Sequence, residues 1–250
     1  MEQNLSKKTR TESDLIGSRE VPESALYGVQ TLRGIENFRI SKFHLNEYPL
    51  FIQALAITKM GAAVANRELD LLTEEQADAI LKACKEILEG KHHDQFPVDM
   101  IQGGAGTTTN MNANEVIANR ALELMGHQRG EYQYCSPNDH VNRSQSTNDA
   151  YPTAIHIGLY YTHLKLVKHF EVLIESFRKK ATEFAHVIKM GRTQLEDAVP
   201  MTLGQTFNGF ASILWHEVKN LDFAAQDFLT VNMGATAIGT GITAEPEYAE

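Results

Sequence analysis

The stretch IGLYYTHLKLVKHFEVLIESFRKKATEFAHVI, residues 157–188, carries apolar side chains at alternating steps of three and four without a break. A second stretch with the same spacing runs from Leu203 to Phe228. Such steps place apolar side chains on one face of an α-helix. Each stretch predicts a helix of about 30 residues, far longer than the average of about 11–12. Two such helices joined by a short connection pack antiparallel in a bundle, so the sequence predicts a mostly α fold.

Working outward from the bundle, the N-terminal part predicts three shorter helices. One opens at Pro49, one runs from a capping box at Thr73 to about Glu89, and one spans Asn110 to Gly126. Residues 1–48 are polar and turn-rich and are expected to be irregular. The predicted division is a mostly helical N-terminal domain, residues 1–145, followed by part of a central long-helix bundle domain, residues 146–250. Since two helices cannot enclose their own apolar faces, further helices are expected from more sequence or from other subunits.

Charge and composition exclude several function classes. The net charge of −9 over 250 residues disfavours nucleic-acid binding. The two cysteines form no metal or disulfide pattern, and no long apolar run predicts a membrane span or signal core. The adjacent His92 and His93 lack the spacing of a metal site. We therefore expect a cytoplasmic protein with no metal and no cofactor, which contacts neither a membrane nor nucleic acid.

Three turns carry more hydrogen-bonding side chains than a chain reversal needs. Residues 102–110 (QGGAGTTTN) set glycines before hydroxyls at a helix start, with Thr107 or Thr109 as donor. Residues 142–149 (NRSQSTND) precede Pro152, which predicts the start of the long helix. Residues 191–200 (GRTQLEDAVP) connect the two long helices. Donors at a helix N-terminus favour an anion. Capping or chain reversal alone also explains each turn, but together they indicate a site for a small anion with two acidic ends.

In this order, on a mostly helical chain, the turns resemble the aspartase/fumarase superfamily. The resemblance is carried by residues 103–107 (GGAGT), 110–115 (NMNANE), 146–149 (STND) and 191–194 (GRTQ), and it extends from about residue 14 to the end of the chain. Ser136, Thr147 and Gln194 favour the aspartases over the class II fumarases, which usually carry histidine, serine and histidine at these positions.

The resemblance implies reversible elimination of ammonia from L-aspartate to give fumarate. A base removes a proton from the β-carbon, and donors must stabilise the charge that develops on the β-carboxylate as an aci-carboxylate. Arg33 is a weaker candidate for recognising a carboxylate. Gln194 would orient the substrate, because a glutamine cannot exchange a proton near neutral pH. The substrate-binding side chains that the resemblance implies are Thr107, Ser146, Thr147, Asn148, Thr193 and Gln194.

The superfamily takes its proposed base, a serine, from a flexible Gly-Ser-Ser loop, and no such stretch occurs in residues 1–250. We therefore expect the base beyond Glu250 and expect this chain alone to be inactive. The superfamily is tetrameric, with each site shared between subunits, which implies a homotetramer. Two alternatives remain: a class II fumarase-type lyase, and a naturally short, non-catalytic helical subunit that pairs with longer partners.

Overall fold

The computed structural model describes residues 8–104 and 106–249, so Ala105 of the first polar turn and Glu250 lie outside the described residues. The chain divides into two compact units. The first holds the described residues of Met1–Gly158 and Val231–Glu250, and the second holds Leu159–Thr230. The predicted domain boundary between residues 145 and 146 stays a prediction.

The N-terminal region is more regular than the sequence predicts. Strands β1 (Thr9–Asp14) and β2 (Gly17–Pro22) form an antiparallel hairpin, and helix α1 (Val29–Asn37) follows. The expectation of irregular structure is wrong for these segments. The strands show no apolar alternation because most of their side chains are exposed. The residue before helix α1 is a glycine, Gly28, so no side chain caps the helix and no capping signal appears in the sequence.

Three helices build the core of the first unit: α2 (Pro49–Glu68), α3 (Glu74–Leu88) and α4 (Thr107–Leu124). The predicted capping box is confirmed: Gln76 N donates to Thr73 Oγ1 at 3.2 Å, and Thr73 N donates to Gln76 Oε1 at 3.1 Å. Helix α4 is buried on nearly every side. Its neighbours share one apolar cluster with it, whose largest members include Leu45, Ile52, Leu55, Ile80, Ile87, Phe96, Ile117 and Leu122.

Helix α5 (Thr147–Glu183) runs through both units and is 37 residues long, about 55 Å at 1.5 Å per residue. The predicted helix start at residues 146–148 is confirmed, but Pro152 lies five residues inside the helix and not in its first turn. Pro152 lacks an N–H for the carbonyl of Asn148. That carbonyl instead accepts a hydrogen bond from Asn232 Nδ2 at 3.1 Å, which explains how the proline is tolerated inside the helix.

In the second unit, α5 packs antiparallel to helix α6 (Leu203–Ala225). The Phe177 ring lies 6.0 Å from Phe207, and His163 Nε2 lies 2.8 Å from Asp222 Oδ1 near the opposite ends of the two helices. The connection is an antiparallel hairpin of β3 (Ile188–Thr193) and β4 (Glu196–Thr202). The expected 30-residue helices are thus confirmed for α5, whereas α6 is shorter and continues only as a 3-10 turn, Gln226–Leu229.

The second unit leaves large apolar side chains in solvent. Val172, Ile213 and Phe223 are 68%, 61% and 82% exposed. The expectation that two long helices cannot cover their own apolar faces is therefore confirmed. Among the described residues, no helix has both the length and the apolar character to cross a membrane. The mostly α fold class is confirmed, with two small hairpins added.

Candidate functional site

The first polar turn is built around the N-terminus of α4. Gly104 and Gly106 have φ values of 73° and 90°, which favour glycine, and a Cβ at Gly106 would also clash with the ring of Tyr151. Thr109 is bound by Gln102, which donates to its hydroxyl at 2.7 Å and accepts from its N–H at 2.8 Å. Thr107 is exposed at the first helical position. Of the two candidate threonines, Thr107 is therefore the one whose hydroxyl is open to a ligand.

The second polar turn forms the N-terminus of α5, as predicted. Ser146 Oγ accepts from Asn148 N at 3.1 Å, and Asp149 Oδ1 accepts from Ser146 N at 2.9 Å. Asp149 is fully buried, and its other oxygen accepts from Thr236 N at 2.9 Å. These bonds fix the backbone on both sides of Thr147 by contacts within the first unit.

A buried lysine joins these two turns. Lys59, on α2, is fully buried, and its Nζ donates to Asn110 Oδ1 at 2.8 Å, Asn142 Oδ1 at 3.0 Å and Gln145 Oε1 at 2.8 Å. Asn110 Nδ2 in turn donates to Thr147 Oγ1 at 3.1 Å. Side chains from α2, α4 and the turn before α5 therefore converge in one polar network.

Burial sets the electrostatics of this network. It lowers the pKa of Lys59 to about 7, an effect that the nearby carboxylate of Asp149 opposes. The buried Cys84 thiol has its pKa raised to about 12 and stays neutral. Lysine is almost never fully buried unless it is paired. Here its partners are three amide oxygens, which match the three N–H groups of an ammonium.

Sequence reasoning missed Lys59, although a signal was present. Leu55, Lys59 and Asn66 recur at helical spacing on the buried face of α2, so a charged side chain stands in an apolar stripe. Asn66 is held by the second turn, accepting from Ser144 Oγ at 2.7 Å and donating to Arg143 O at 3.0 Å. Lys59 and Asn66 therefore both hold the second turn.

The third polar turn is the tip of the β3–β4 hairpin, in the second unit. Thr193 pairs with Glu196, and the two residues between them, Gln194 and Leu195, have φ values of 48° and 70°. All four side chains are exposed. Thr193 and Gln194 therefore present donors to solvent, as a ligand-binding tip would.

Arg33 lies on α1, away from open solvent. It donates twice to the Asp14 carboxylate, at 2.8 and 2.9 Å, and once to Gly17 O at 2.7 Å. The Arg33 guanidinium lowers the pKa of Asp14 below its ordinary value. The side chain thus already binds a carboxylate of its own chain, and its role toward a substrate stays a prediction.

Comparison with known proteins shows the family of the chain. A family model described as lyase matches residues 17–250. The chain belongs to this lyase family.

Within this lyase family the chain is similar to the aspartate ammonia-lyase of Escherichia coli, with 56% identity over 98% of the chain and 51% of the relative. The solved structure of a fumarate lyase:delta crystallin from Brucella melitensis is 51% identical, with a TM-score of 0.92, and the match covers 97% of the chain and 53% of that protein. A class II fumarase from Schistosoma mansoni is 36% identical, with a TM-score of 0.90, over 96% and 50% of the two chains. These matches confirm the resemblance to the aspartase/fumarase superfamily and its fold. The chain spans about half the length of the relatives it matches.

Proposed function

We propose that the natural polypeptide carrying this chain is an aspartate ammonia-lyase, which converts L-aspartate reversibly to fumarate and ammonia. The proposal is supported chiefly by the Asn110–Thr147 hydrogen bond, because it joins the N-termini of two helices whose donors suit an anion. It is also supported by 56% identity to an aspartate ammonia-lyase, against 36% to a class II fumarase.

In the proposed reaction a base takes the proton from the β-carbon, and the electron pair moves into the β-carboxylate. The dianion that results then collapses to fumarate as the bond between the α-carbon and nitrogen breaks and ammonia leaves. The residues of this chain supply donors rather than the base. Ser146, Thr147 and Asn148 would bind the developing aci-carboxylate, and Thr107, Thr193 and Gln194 would hold the remaining polar groups of the substrate.

The reaction is tested by supplying the natural polypeptide with fumarate and ammonium. Aspartate as the product supports the ammonia-lyase. Malate without aspartate would instead indicate a fumarase-type reaction, in which water adds in place of ammonia. No turnover by the natural polypeptide in either direction would favour the non-catalytic helical subunit.

Thr193 tests the binding site directly. A hydrogen bond to a charged group contributes about 1.5–3 kcal/mol. Thr193→Val should therefore lower kcat/KM for aspartate by about 10- to 100-fold, whereas Thr193→Ser, which keeps the hydroxyl, should retain most of it. Normal kinetics for Thr193→Val would remove the assigned role.

We also propose a homotetramer with shared active sites, in the cytoplasm. Support for assembly comes from the exposed apolar side chains of α5 and α6, of which Phe223 is 82% exposed. Phe223→Arg should lower the sedimentation mass, whereas Glu75→Arg, at an exposed position on α3, should not. An unchanged mass for Phe223→Arg would place the interface elsewhere. The two buried free cysteines, Cys84 and Cys135, suit a reducing compartment.

A further inference from the structure

The buried Lys59 network fixes the direction of each hydrogen bond within it. An ammonium only donates, so each amide that contacts Lys59 must turn its oxygen toward Nζ. Asn110 does so at 2.8 Å, and its Nδ2 group therefore faces away from the lysine. It donates to Asn142 Oδ1 at 3.1 Å and to Thr147 Oγ1 at 3.1 Å.

This orientation decides what the Thr147 hydroxyl can do. Because Thr147 Oγ1 accepts from Asn110, its own hydrogen remains to be donated, and no acceptor for it is present among the described residues. If the Asn110 amide were reversed, its oxygen would face Thr147 and accept that hydrogen. The reversed amide would also point its NH₂ group at the lysine ammonium, which is unfavourable. The three amide oxygens around Nζ use all three N–H groups of an ammonium, and this form of Lys59 selects the arrangement in which the Thr147 hydroxyl is a free donor.

We propose that Lys59 is a positioning residue, which acts through Asn110 to hold the Thr147 hydroxyl as a donor toward the substrate carboxylate. This inference rests on the proposed function, since it assigns the donated hydrogen to the aci-carboxylate. Lys59 itself is fully buried, and its three N–H groups are taken by Asn110, Asn142 and Gln145, so it can act on a substrate only through these neighbours. Its contribution is preorganisation: the hydroxyl is oriented before charge develops, so no reorientation is needed during the reaction.

Two substitutions test the proposal in the natural polypeptide. Lys59→Met keeps an unbranched side chain of similar length and removes the N–H donors. Asn110→Asp keeps the shape and the lysine but places a second oxygen at Thr147, where it captures the hydroxyl hydrogen. Both should lower kcat by about tenfold or more with a smaller change in KM, because the lost donor acts mainly in the transition state.

A double-mutant cycle separates positioning from loss of stability. Thr147→Val removes the hydroxyl, so Asn110→Asp should have little further effect on kcat in that background, whereas independent effects would multiply. Asn112→Ala is the matched control. Asn112 is a fully buried asparagine two residues along the same helix, but its Nδ2 donates to Gln95 O, and its substitution should leave kcat unchanged in folded protein.

The outcomes separate this inference from the proposed function. No conversion of aspartate by the wild-type polypeptide, or full kcat for Thr147→Val, overturns both. A lowered kcat for Thr147→Val together with normal kcat for Lys59→Met and Asn110→Asp overturns this inference alone. Multiplicative effects in the cycle, or an equal loss of kcat in Asn112→Ala, would reduce Lys59 and Asn110 to structural residues.

Discussion

The second and third polar turns present similar side chains in opposite environments. In the turn before α5, Asp149 is 0% exposed and the Ser146–Asp149 bonds hold the backbone from within. At the tip of the β3–β4 hairpin, Leu195 is 94% exposed and the Arg192–Asp197 ion pair lies in solvent. The turn before α5 is positioned by contacts within its own unit. The hairpin tip has donors and a strained backbone but no covering residues in its own unit, so its final geometry depends on what packs against it.

The same contrast separates the two units. The first buries Lys59, Glu115 and Asp149, each with hydrogen-bond partners in the same unit. The second has two long helices that cover only part of each other and leave Val172 and Phe223 in solvent. Removing one partner of these buried charges should cost the first unit much stability, whereas substitution of exposed charged groups in the second unit should cost little.

The largest effect is expected at Glu115. This carboxylate is 1% exposed and accepts from the N–H groups of Gly28, Gln30 and Thr31 at 2.8–3.0 Å, so it anchors the start of α1. Glu115→Ala leaves buried donors unsatisfied and should lower the free energy of unfolding by about 3 kcal/mol or more. Denaturant unfolding at fixed protein concentration measures this.

Glu175→Ala is the matched control in the second unit. Glu175 is exposed on α5, so its removal should change the free energy of unfolding by less than about 0.5 kcal/mol. Equal losses of unfolding free energy for Glu115→Ala and Glu175→Ala would mean that the buried hydrogen bonds of the first unit contribute no more than exposed side chains of the second.

The helical part of the fold was predictable because its signal is local. The spacing of Leu164, Phe170 and Phe177 predicts α5, and the Thr73 capping box predicts the start of α3; both are confirmed. The β1–β2 hairpin could not be predicted, because only Glu12 and Val21 of its strands are buried and no alternation results. The start of helix α1 is held by Glu115, which lies far away in the chain, so local sequence could not mark where the helix begins.

The candidate site was predictable only in part for the same reason. The donor-rich turns are visible in the sequence, and the Asn110–Thr147 bond joins two of them. The supporting Lys59 could not be assigned to either turn, because its partners lie 51 to 86 residues further along the chain. The position of Pro152 inside the helix could not be predicted, because the compensating Asn232 comes from a distant segment.

A pH-dependent loss of stability is predicted for Glu86. Two hydrogen bonds from Arg120, at 2.6 and 2.8 Å, lower the pKa of Glu86 to about 2, with a further contribution from His92. A lowered carboxyl pKa stabilises the fold above the ordinary value near 4.5, and that stabilisation is lost as the pH falls from 4.5 to 2. Glu86→Gln should therefore cost about 2 kcal/mol at pH 7 and almost nothing at pH 2.

The control is an exposed ion pair of the second unit. Lys180 and Glu183 approach to 2.6 Å, as close as Arg120 and Glu86, but both side chains are about half exposed. Exposed pairs contribute about 0–1 kcal/mol, so Glu183→Gln should alter unfolding little at any pH. If Glu86→Gln lowers the free energy of unfolding by the same amount at pH 7 and at pH 2, the ionised Glu86 carboxylate is not the source of the stabilisation.

A smaller and symmetric effect is expected at the two capping boxes. Thr73 caps α3 in the first unit, and Thr202 caps α6 in the second, each accepting from a glutamine N–H three residues on. Alanine at either position should cost about 1 kcal/mol. Native-state hydrogen exchange should show faster exchange in α3 for Thr73→Ala and in α6 for Thr202→Ala. If each variant accelerates exchange equally in both helices, the units unfold as one.

The smallest change in stability is expected for substitutions at the hairpin tip. Its sign shows whether another part of the assembly covers the tip. Leu195 has a φ of 70°, which is unfavourable for a bulky side chain, and at 94% exposure it has almost no packing to lose. Leu195→Gly relieves the backbone and should stabilise the hairpin by a few tenths of a kcal/mol, up to about 1, whereas Leu195→Ala should gain less. Hydrogen exchange of β3 and β4 in the natural polypeptide measures both. A loss of protection in Leu195→Gly would contradict this and would mean that the leucine side chain is buried there by another part of the assembly.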